Sequence, residues 1–380
     1  MSSTRRALTR AVLTAACLAG SAHALEIQQK PAQQQPQPAR RDIDLVIALD
    51  VSDSMSGLID STKQRLWDIV NELGRAQPTP VLRVAILTYG APAYGAQSGY
   101  VRLDLPFTSD LDAVNEKLFS FHTNGGDEYV ARVVDTAFKR LQWSPSAEAL
   151  RIVFVAGNES AAQDPQLRLE QVMGEAAQRD IVVNAIYCGG NGDEDAAGWR
   201  RVATLANGTY ASIDQNAAAV ANVATPYDSQ LASLNEALNA TYLAVGATGE
   251  RARANQVAQD ANAAAMSAPA AASRALAKAG ALYETNWDLV SALAAGKKIE
   301  DVATAELPAE MQAMEPAERE EYVEKKAAER VEIQARIQSL GEERRRYIEG
   351  HSDKADDELD TAMLDGLHRA AERKGFEFPD

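Results

Sequence analysis

Six short runs rich in β-branched and aliphatic residues alternate with amphipathic stretches between Ile43 and Ile213, and that alternation leaves few architectures open. The runs are Ile43 to Leu49, Val81 to Tyr89, Val101 to Leu105, Leu150 to Val155, Ile181 to Tyr187 and Thr209 to Ile213. Between them, Leu58 to Leu73, Tyr129 to Leu141, Gln166 to Ala177 and Trp199 to Ala206 carry apolar residues at three- and four-residue spacing, which predicts helices. On the first of these, Leu66, Ile69, Val70 and Leu73 share the face expected to meet the sheet. Strands apolar on both faces and separated by helices predict a mostly parallel sheet covered on both sides, a doubly wound, Rossmann-like α/β domain. Val101 to Leu105, followed by Pro106, reads as a short antiparallel edge strand.

Open sheets of this kind bind ligands at the carboxyl ends of their strands. The first predicted strand ends there in Asp50-Val51-Ser52-Asp53-Ser54. Alternate residues of an extended turn point to one side, so a carboxylate and two hydroxyls converge on a hard, oxygen-seeking cation such as Mg2+. The same residues also suit a helix start, with Ser54 or Ser56 capping and Asp53 favouring the helix dipole. Gly125-Gly126-Asp127-Glu128 precedes another predicted helix and likewise reads either as a turn with an acidic helix start or as a second ligand loop.

With these two loops in one topology, residues 42–216 resemble the von Willebrand factor type A (VWA) family, in which an Asp-x-Ser-x-Ser run opens a metal-ion-dependent adhesion site (MIDAS). The resemblance includes Tyr89-Gly90 and implies Mg2+ or Mn2+ as the ion, with Asp50, Ser52 and Ser54 as first-loop ligands. It places Asp127 at the second-loop ligand position, with Thr123 as the substitute. The third-loop aspartate that the family carries falls on Gly157, within Ala156-Gly157-Asn158-Glu159. Glu159, two residues on, either replaces it or is a solvated loop acid. The implied function is metal-dependent adhesion, in which a partner's acidic residue fills the open coordination position; by their positions in the chain, Ser56, Tyr94, Tyr129 and Asn158 are expected to set partner choice.

The flanks give the setting. Residues 1–24 read as a signal peptide, with Arg5, Arg6 and Arg10 before an apolar run and Ala22-His23-Ala24 at the cleavage point. This predicts export to the periplasm or beyond, with a twin-arginine route at Arg5-Arg6 or lipid anchoring at Cys17 as variants. Residues 25–41 form a Gln/Pro-rich linker, and residues 217–380 an α-helical C-terminal domain. In the latter, Val323, Ile333, Ile337, Leu340 and Tyr347 approximate a heptad seam that Lys326, Arg330 and Arg344 interrupt, against a long coiled coil. No later apolar run is long enough for a transmembrane span. A net charge of -16, more negative once the signal arginines are gone, argues against nucleic-acid partners.

Cleavage would leave Cys188 as the lone thiol, read as a small buried hydrophobe. The Gly-rich, acidic stretch Tyr187 to Asp195 is either a solvated loop or a second cation site. No His-Glu-x-x-His spacing, nucleophile elbow or phosphate loop is present, so the expectation is a binding protein and not an enzyme. The competing expectation is an envelope scaffold that self-associates through its C-terminal helices, with a degenerate metal site.

Overall fold

The computed structural model describes residues 41–212, 223–351 and 357–379. The expected signal peptide, Cys17, linker residues 25–40 and the boundary at residues 216 and 217 lie outside these. Six strands form one sheet in the order β3-β2-β1-β4-β5-β6. They are β1 (Asp42–Asp50), β2 (Val81–Tyr89), β3 (Val101–Thr108), β4 (Leu150–Gly157), β5 (Ile181–Tyr187) and β6 (Tyr210–Ser212). All neighbours run parallel except β3, which lies antiparallel to β2 at the edge.

β3 runs past Pro106 to Thr108 where an earlier end was expected. The pairing shifts register there: Ile86 faces Leu105 while Val84 faces Thr108, so the strand carries one extra residue around Pro106. Proline has no N–H to give a ladder, and an edge bulge is where that omission costs least.

Both faces of the sheet are apolar, as β1 illustrates. Ile43, Leu45, Ile47 and Leu49 turn to one core with Leu66, Trp67, Val70 and Leu73 of α1 (Ser56–Arg75) and Val114 and Leu118 of α2 (Leu111–Phe119). Val46 and Ala48 turn to the other, under α3 (Val130–Arg140), α4 (Leu169–Gln178) and α5 (Ala196–Leu205). The sequence reading missed α2. Its signal was there: the Asp110 side chain caps the helix by accepting from Asp112 N and Ala113 N, both at 3.0 Å, ahead of apolar Leu111, Val114 and Leu118.

Beyond β6 the described chain is helical: α6 (Asp228–Asn239), α7 (Gly246–Met266), α8 (Ala268–Ala279), α9 (Leu289–Ala294), α10 (Pro316–His351) and α11 (Asp357–Glu372). These helices are joined to the sheet by a shared core. Ala277 of α8, with Leu282 after it, and Leu367, Ala370 and Ala371 of α11, with Phe376 beyond it, are buried in the same cluster as Ile43 and Leu45. The segment after α11 returns to the start of the domain: Gln77 and Glu377 exchange backbone hydrogen bonds of 2.8 Å, and Arg41 donates to the carbonyls of Lys374 and Gly375. Where α2 meets α7 and α8, fully buried Arg274 lies between Asp112, at 2.9 Å, and Asp260, at 2.5 Å.

The heptad seam of α10 takes a form different from the expected one. Its buried residues are Val323, Arg330, Ile337 and Arg344, seven positions apart. Arg330 and Arg344 therefore belong to the stripe and do not interrupt it. Arg330 reaches Asp288 at 2.6 Å and the Thr241 carbonyl at 2.7 Å, while Arg344 reaches Asp228 at 2.9 Å. A buried guanidinium is tolerable when a carboxylate and carbonyls satisfy its fork, and here Asp228, Asp288 and the Thr241 carbonyl of the same chain supply them. Lys326, by contrast, pairs with Glu329 along the helix at 3.0 Å.

Candidate metal centre

The strand order reverses between β1 and β4, so their carboxyl ends flank the crevice where open α/β sheets place ligands. Asp50, the last residue of β1, is fully buried, and one of its oxygens accepts the Ser52 N–H at 2.7 Å. The chain then makes a single 3-10 turn, Asp53–Met55, and enters α1. The Val51 carbonyl accepts the Asn124 N–H at 2.8 Å, and Val51 N–H donates to Tyr89 O at 2.9 Å, which ties the first loop to the second and to the end of β2. Gly90 completes the enclosure with a backbone φ of +89°. A methyl group on it would lie 2.6 Å from Asp50 Oδ1 and 3.2 Å from Glu128 Cγ, so a glycine is needed for both conformation and space.

The second-loop carboxyl that meets Asp50 belongs to Glu128. It is buried at 4% exposure, whereas Asp127 is exposed and Thr123 half-buried. Burial raises Asp50 above the ordinary carboxylate range. Burial, then the Asp50 carboxyl beside it, pushes Glu128 up to about 9. The Ser52 hydroxyl, itself buried, hydrogen-bonds this pair. Asp50 Oδ2 and Glu128 Oε2 are buried without any hydrogen-bond donor. Two desolvated carboxyls with orphaned oxygens call for a shared proton or a cation.

The donors present fit a hard divalent ion: two carboxylates and a hydroxyl, with water to complete the shell. Among the described residues no three His, Cys, Asp or Glu side chains gather closely enough to hold a metal by themselves. An ion here therefore depends on Ser52 and water as well. The backbone of Ser54 lies in the 3-10 turn, and its side chain lies outside the described atoms.

Gly157, at the end of β4, has a packing reason to lack a side chain. A Cβ there would lie 2.5 Å from the Tyr89 hydroxyl and 3.1 Å from the Trp199 ring. The Tyr89 hydroxyl donates to Ala156 O at 2.9 Å, and Trp199 Nε1 to Glu159 O at 2.7 Å. The place a third-loop aspartate needs is thus filled by two aromatic rings. Glu159 is exposed, and its side chain accepts from Gln163 at 2.7 Å, yet its charge reaches both Asp50 and Glu128. Installing the family's aspartate, Gly157→Asp, is therefore expected to lower stability by about 1–3 kcal/mol, through overpacking, and not to improve metal binding. Urea unfolding and a Mn2+ titration of the variant check both halves.

Cys188, just after β5, is buried, and its thiol is pushed up by burial and by the Asp50 charge. In the following loop Asp193 accepts from Gly190 N at 2.6 Å and from the Tyr187 hydroxyl at 3.3 Å, so that acid is engaged in holding its own turn.

An open, mostly parallel α/β sheet with an oxygen-lined acidic cup at its switch point defines a Rossmann-like domain. Residues 44–226 match the model of the von Willebrand factor type A domain. Such domains are often metal-dependent protein-interaction modules. No curated protein matches the chain significantly. Similar solved structures include proximal thread matrix protein 1 from the mussel byssus with a zinc-occupied MIDAS motif, at 12% identity and a TM-score of 0.37, covering 47% of this chain and 43% of that one. Others are the SpRpn10 VWA domain, at 11% identity, TM-score 0.34 and coverage of 45% and 87%, and a von Willebrand factor type A protein from Catenulispora acidiphila, at 17% identity, TM-score 0.37 and coverage of 47% and 40%. The chain thus spans less than half the length of the mussel protein.

Proposed function

We propose that this VWA domain holds a divalent cation, Mg2+ or Mn2+, on Asp50, Glu128 and Ser52, and binds a protein partner at that end of the sheet without catalysing a reaction. The observation that carries this reading is the pair of buried carboxyls with orphaned oxygens, a costly arrangement that a cation would relieve. Bound there, the ion would supply an open coordination position. Asp50, on the rigid end of β1, and Glu128, beside α3, would hold it from two loops joined by hydrogen bonds, so the position would be fixed before a partner arrives. With only two carboxylates, affinity is expected to be modest.

The export signal read in residues 1–24 supports a periplasmic or extracellular setting, with soluble residues following it. Among the described residues no helix is long and apolar enough to cross a membrane. The scaffold alternative is less well supported, because the α10 stripe that would serve self-association is taken up by Asp288 and Asp228 of the same chain.

Calorimetric titration of the signal-free protein with Mg2+ and Mn2+, beside Asp50→Ala, tests the proposal. Saturable binding that the variant loses is the expected result. An absence of saturable binding up to several millimolar, or equal binding by the variant, sinks it.

A further inference from the structure

Each of the two loops that meet in the cup is carried by a helix. α1 starts directly after the first loop, at Ser56. α2 ends at Phe119, and the chain runs on through Phe121, buried in the core with β1, to Asn124 and Glu128 of the second loop. The bond from Asn124 N–H to Val51 O joins the two paths at 2.8 Å. Near that end the Lys63 ammonium of α1 lies over the Phe119 ring of α2, 5.0 Å from its centroid. α1 and α2 are thus the two rods on which the loops are mounted.

The C-terminal helices hold both rods with polar groups. Along α2, Asn115 donates to Gln259 of α7 at 2.9 Å, and Asn255 of α7 donates to Glu116 at 3.1 Å. Along α1, Asn71 donates to the Ser273 carbonyl of α8 and the Ser273 hydroxyl donates to Asp68, both at 2.9 Å. Arg274, the next residue of α8, reaches both rods at once. Its guanidinium lies over the Trp67 ring of α1, 4.8 Å from the centroid, and pairs with Asp112 of α2 at 2.9 Å. From the helical side it is held by Asp260 and the Gln256 carbonyl of α7, while the Tyr283 hydroxyl donates to the other Asp112 oxygen at 2.5 Å. Arg274, Trp67 and Asp112 are all buried, so water does not weaken these contacts.

We infer that Arg274 is a positioning residue for the metal centre: it fixes α1 and α2 at the separation that brings Asp50 and Glu128 together, so the C-terminal helices set the affinity of the cup for its ion. Packed, rigid helices pass a shift at one end to the other, and a site held in shape before the ion arrives loses no affinity to reshaping. Arginine suits the role because its planar fork bonds Asp112 and Asp260 while its face stacks on an indole; a lysine ammonium is a point charge that cannot do all three. The link to the ion rests on the proposed metal-binding function, whereas the placing of the two loops stands on Arg274 and its contacts alone.

Asp112→Asn and Arg274→Lys both cut this link in the full signal-free chain. Asp112→Asn keeps the shape and leaves Arg274 its bond to Asp260, so it carries the test if Arg274→Lys folds poorly. Asp228→Asn is the control: it weakens a buried carboxylate–arginine pair of the same kind, Asp228 with Arg344, between α6 and α10. Hydrogen exchange followed by mass spectrometry, in chelator, reads the order of residues 50–55 and 120–128 without any ion. Calorimetry with Mn2+ reads the affinity, and urea unfolding shows how much global stability each variant has lost.

The expected result is that Asp112→Asn and Arg274→Lys speed exchange in both loops at least about threefold and weaken Mn2+ binding about tenfold, while Asp228→Asn leaves both within about twofold of wild type. A merely structural role would move the control as much as the test variants. Loop exchange no faster than in Asp228→Asn overturns the inference, and so does faster exchange with Mn2+ affinity equal to wild type. If the wild-type chain binds no Mn2+ while loop exchange still responds to Asp112→Asn, the metal proposal fails and the placing of the loops by Arg274 stands.

Discussion

A chain cut after His351 is expected to lose cooperative folding of the sheet as well as its terminal helix. The deleted part carries Leu367, Ala370, Ala371 and Phe376, each at most 1% exposed in the core that contains β1. Truncating one buried Leu or Phe typically costs about 2–5 kcal/mol, and whole domains have only about 5–15 kcal/mol to lose. Removing four buried side chains together with the backbone pairing of Gln77 and Glu377 reaches that range. A piece ending near residue 226, where the family match ends, also loses Ala277 and Leu282 and is expected to fare worse. Far-ultraviolet circular dichroism through a thermal ramp, with limited proteolysis at 25 °C, checks this. A sharp transition within a few degrees of the full chain would show that α11 is an accessory.

The second large effect concerns protons at the metal centre. In the ion-free protein Glu128 is raised from the ordinary value of 4.5 to about 9, by burial and then by Asp50 beside it. For a carboxyl raised on folding, the favourable contribution is complete below the ordinary value. It is lost as pH climbs through about 9, where the folded protein must give up a proton that the unfolded chain releases earlier. The ion-free domain should thus lose stability from about pH 5 upward. A cation replaces the proton, so its binding should release about one proton at pH 7, and affinity should rise up to about tenfold per pH unit until the pair is ionised.

Glu128→Gln keeps the shape and fixes the neutral form. It should weaken Mn2+ binding by about 100-fold, abolish the proton release, and make the ion-free protein more stable than wild type at pH 8. Calorimetry in two buffers of different ionisation enthalpy, with urea unfolding at pH 5 and pH 8, reads all three. Unchanged affinity in the variant would remove Glu128 from the site.

How far the sequence foretold this differs from part to part. Strands such as Ile181–Tyr187 declared themselves because a buried parallel strand is apolar on both faces, and the run's β-branched residues and short length favour a strand. The position of the first loop at the end of β1 was legible for a related reason: the apolar run stops at Asp50, where acid and hydroxyl groups begin. The choice between Asp127 and Glu128 was not legible, since both are acids in one loop. Only the folded loop shows that Glu128 is buried beside Asp50 while Asp127 is exposed. Arg330 and Arg344 looked like breaks in a seam because a lone charge in a stripe usually is one. Their partners, Asp288 and Asp228, lie far away in sequence, so only the tertiary structure identifies the stripe as continuous. The docking of α11 on the sheet was equally hidden: Leu367, Ala370 and Ala371 mark an apolar face, but a helix's own sequence does not say what it covers.

That returning helix also governs the order in which the protein can assemble. Among the described residues five α-helices separate β6 from α11, so covering the β1 core joins residues far apart in sequence, a contact that topology makes slow. Until that closure Ile43, Leu45 and Ile47 lack part of their cover, and a half-built sheet of this kind sticks to others like it. The protein's vulnerable interval is therefore its childhood, when the strands exist and their last roof beam does not.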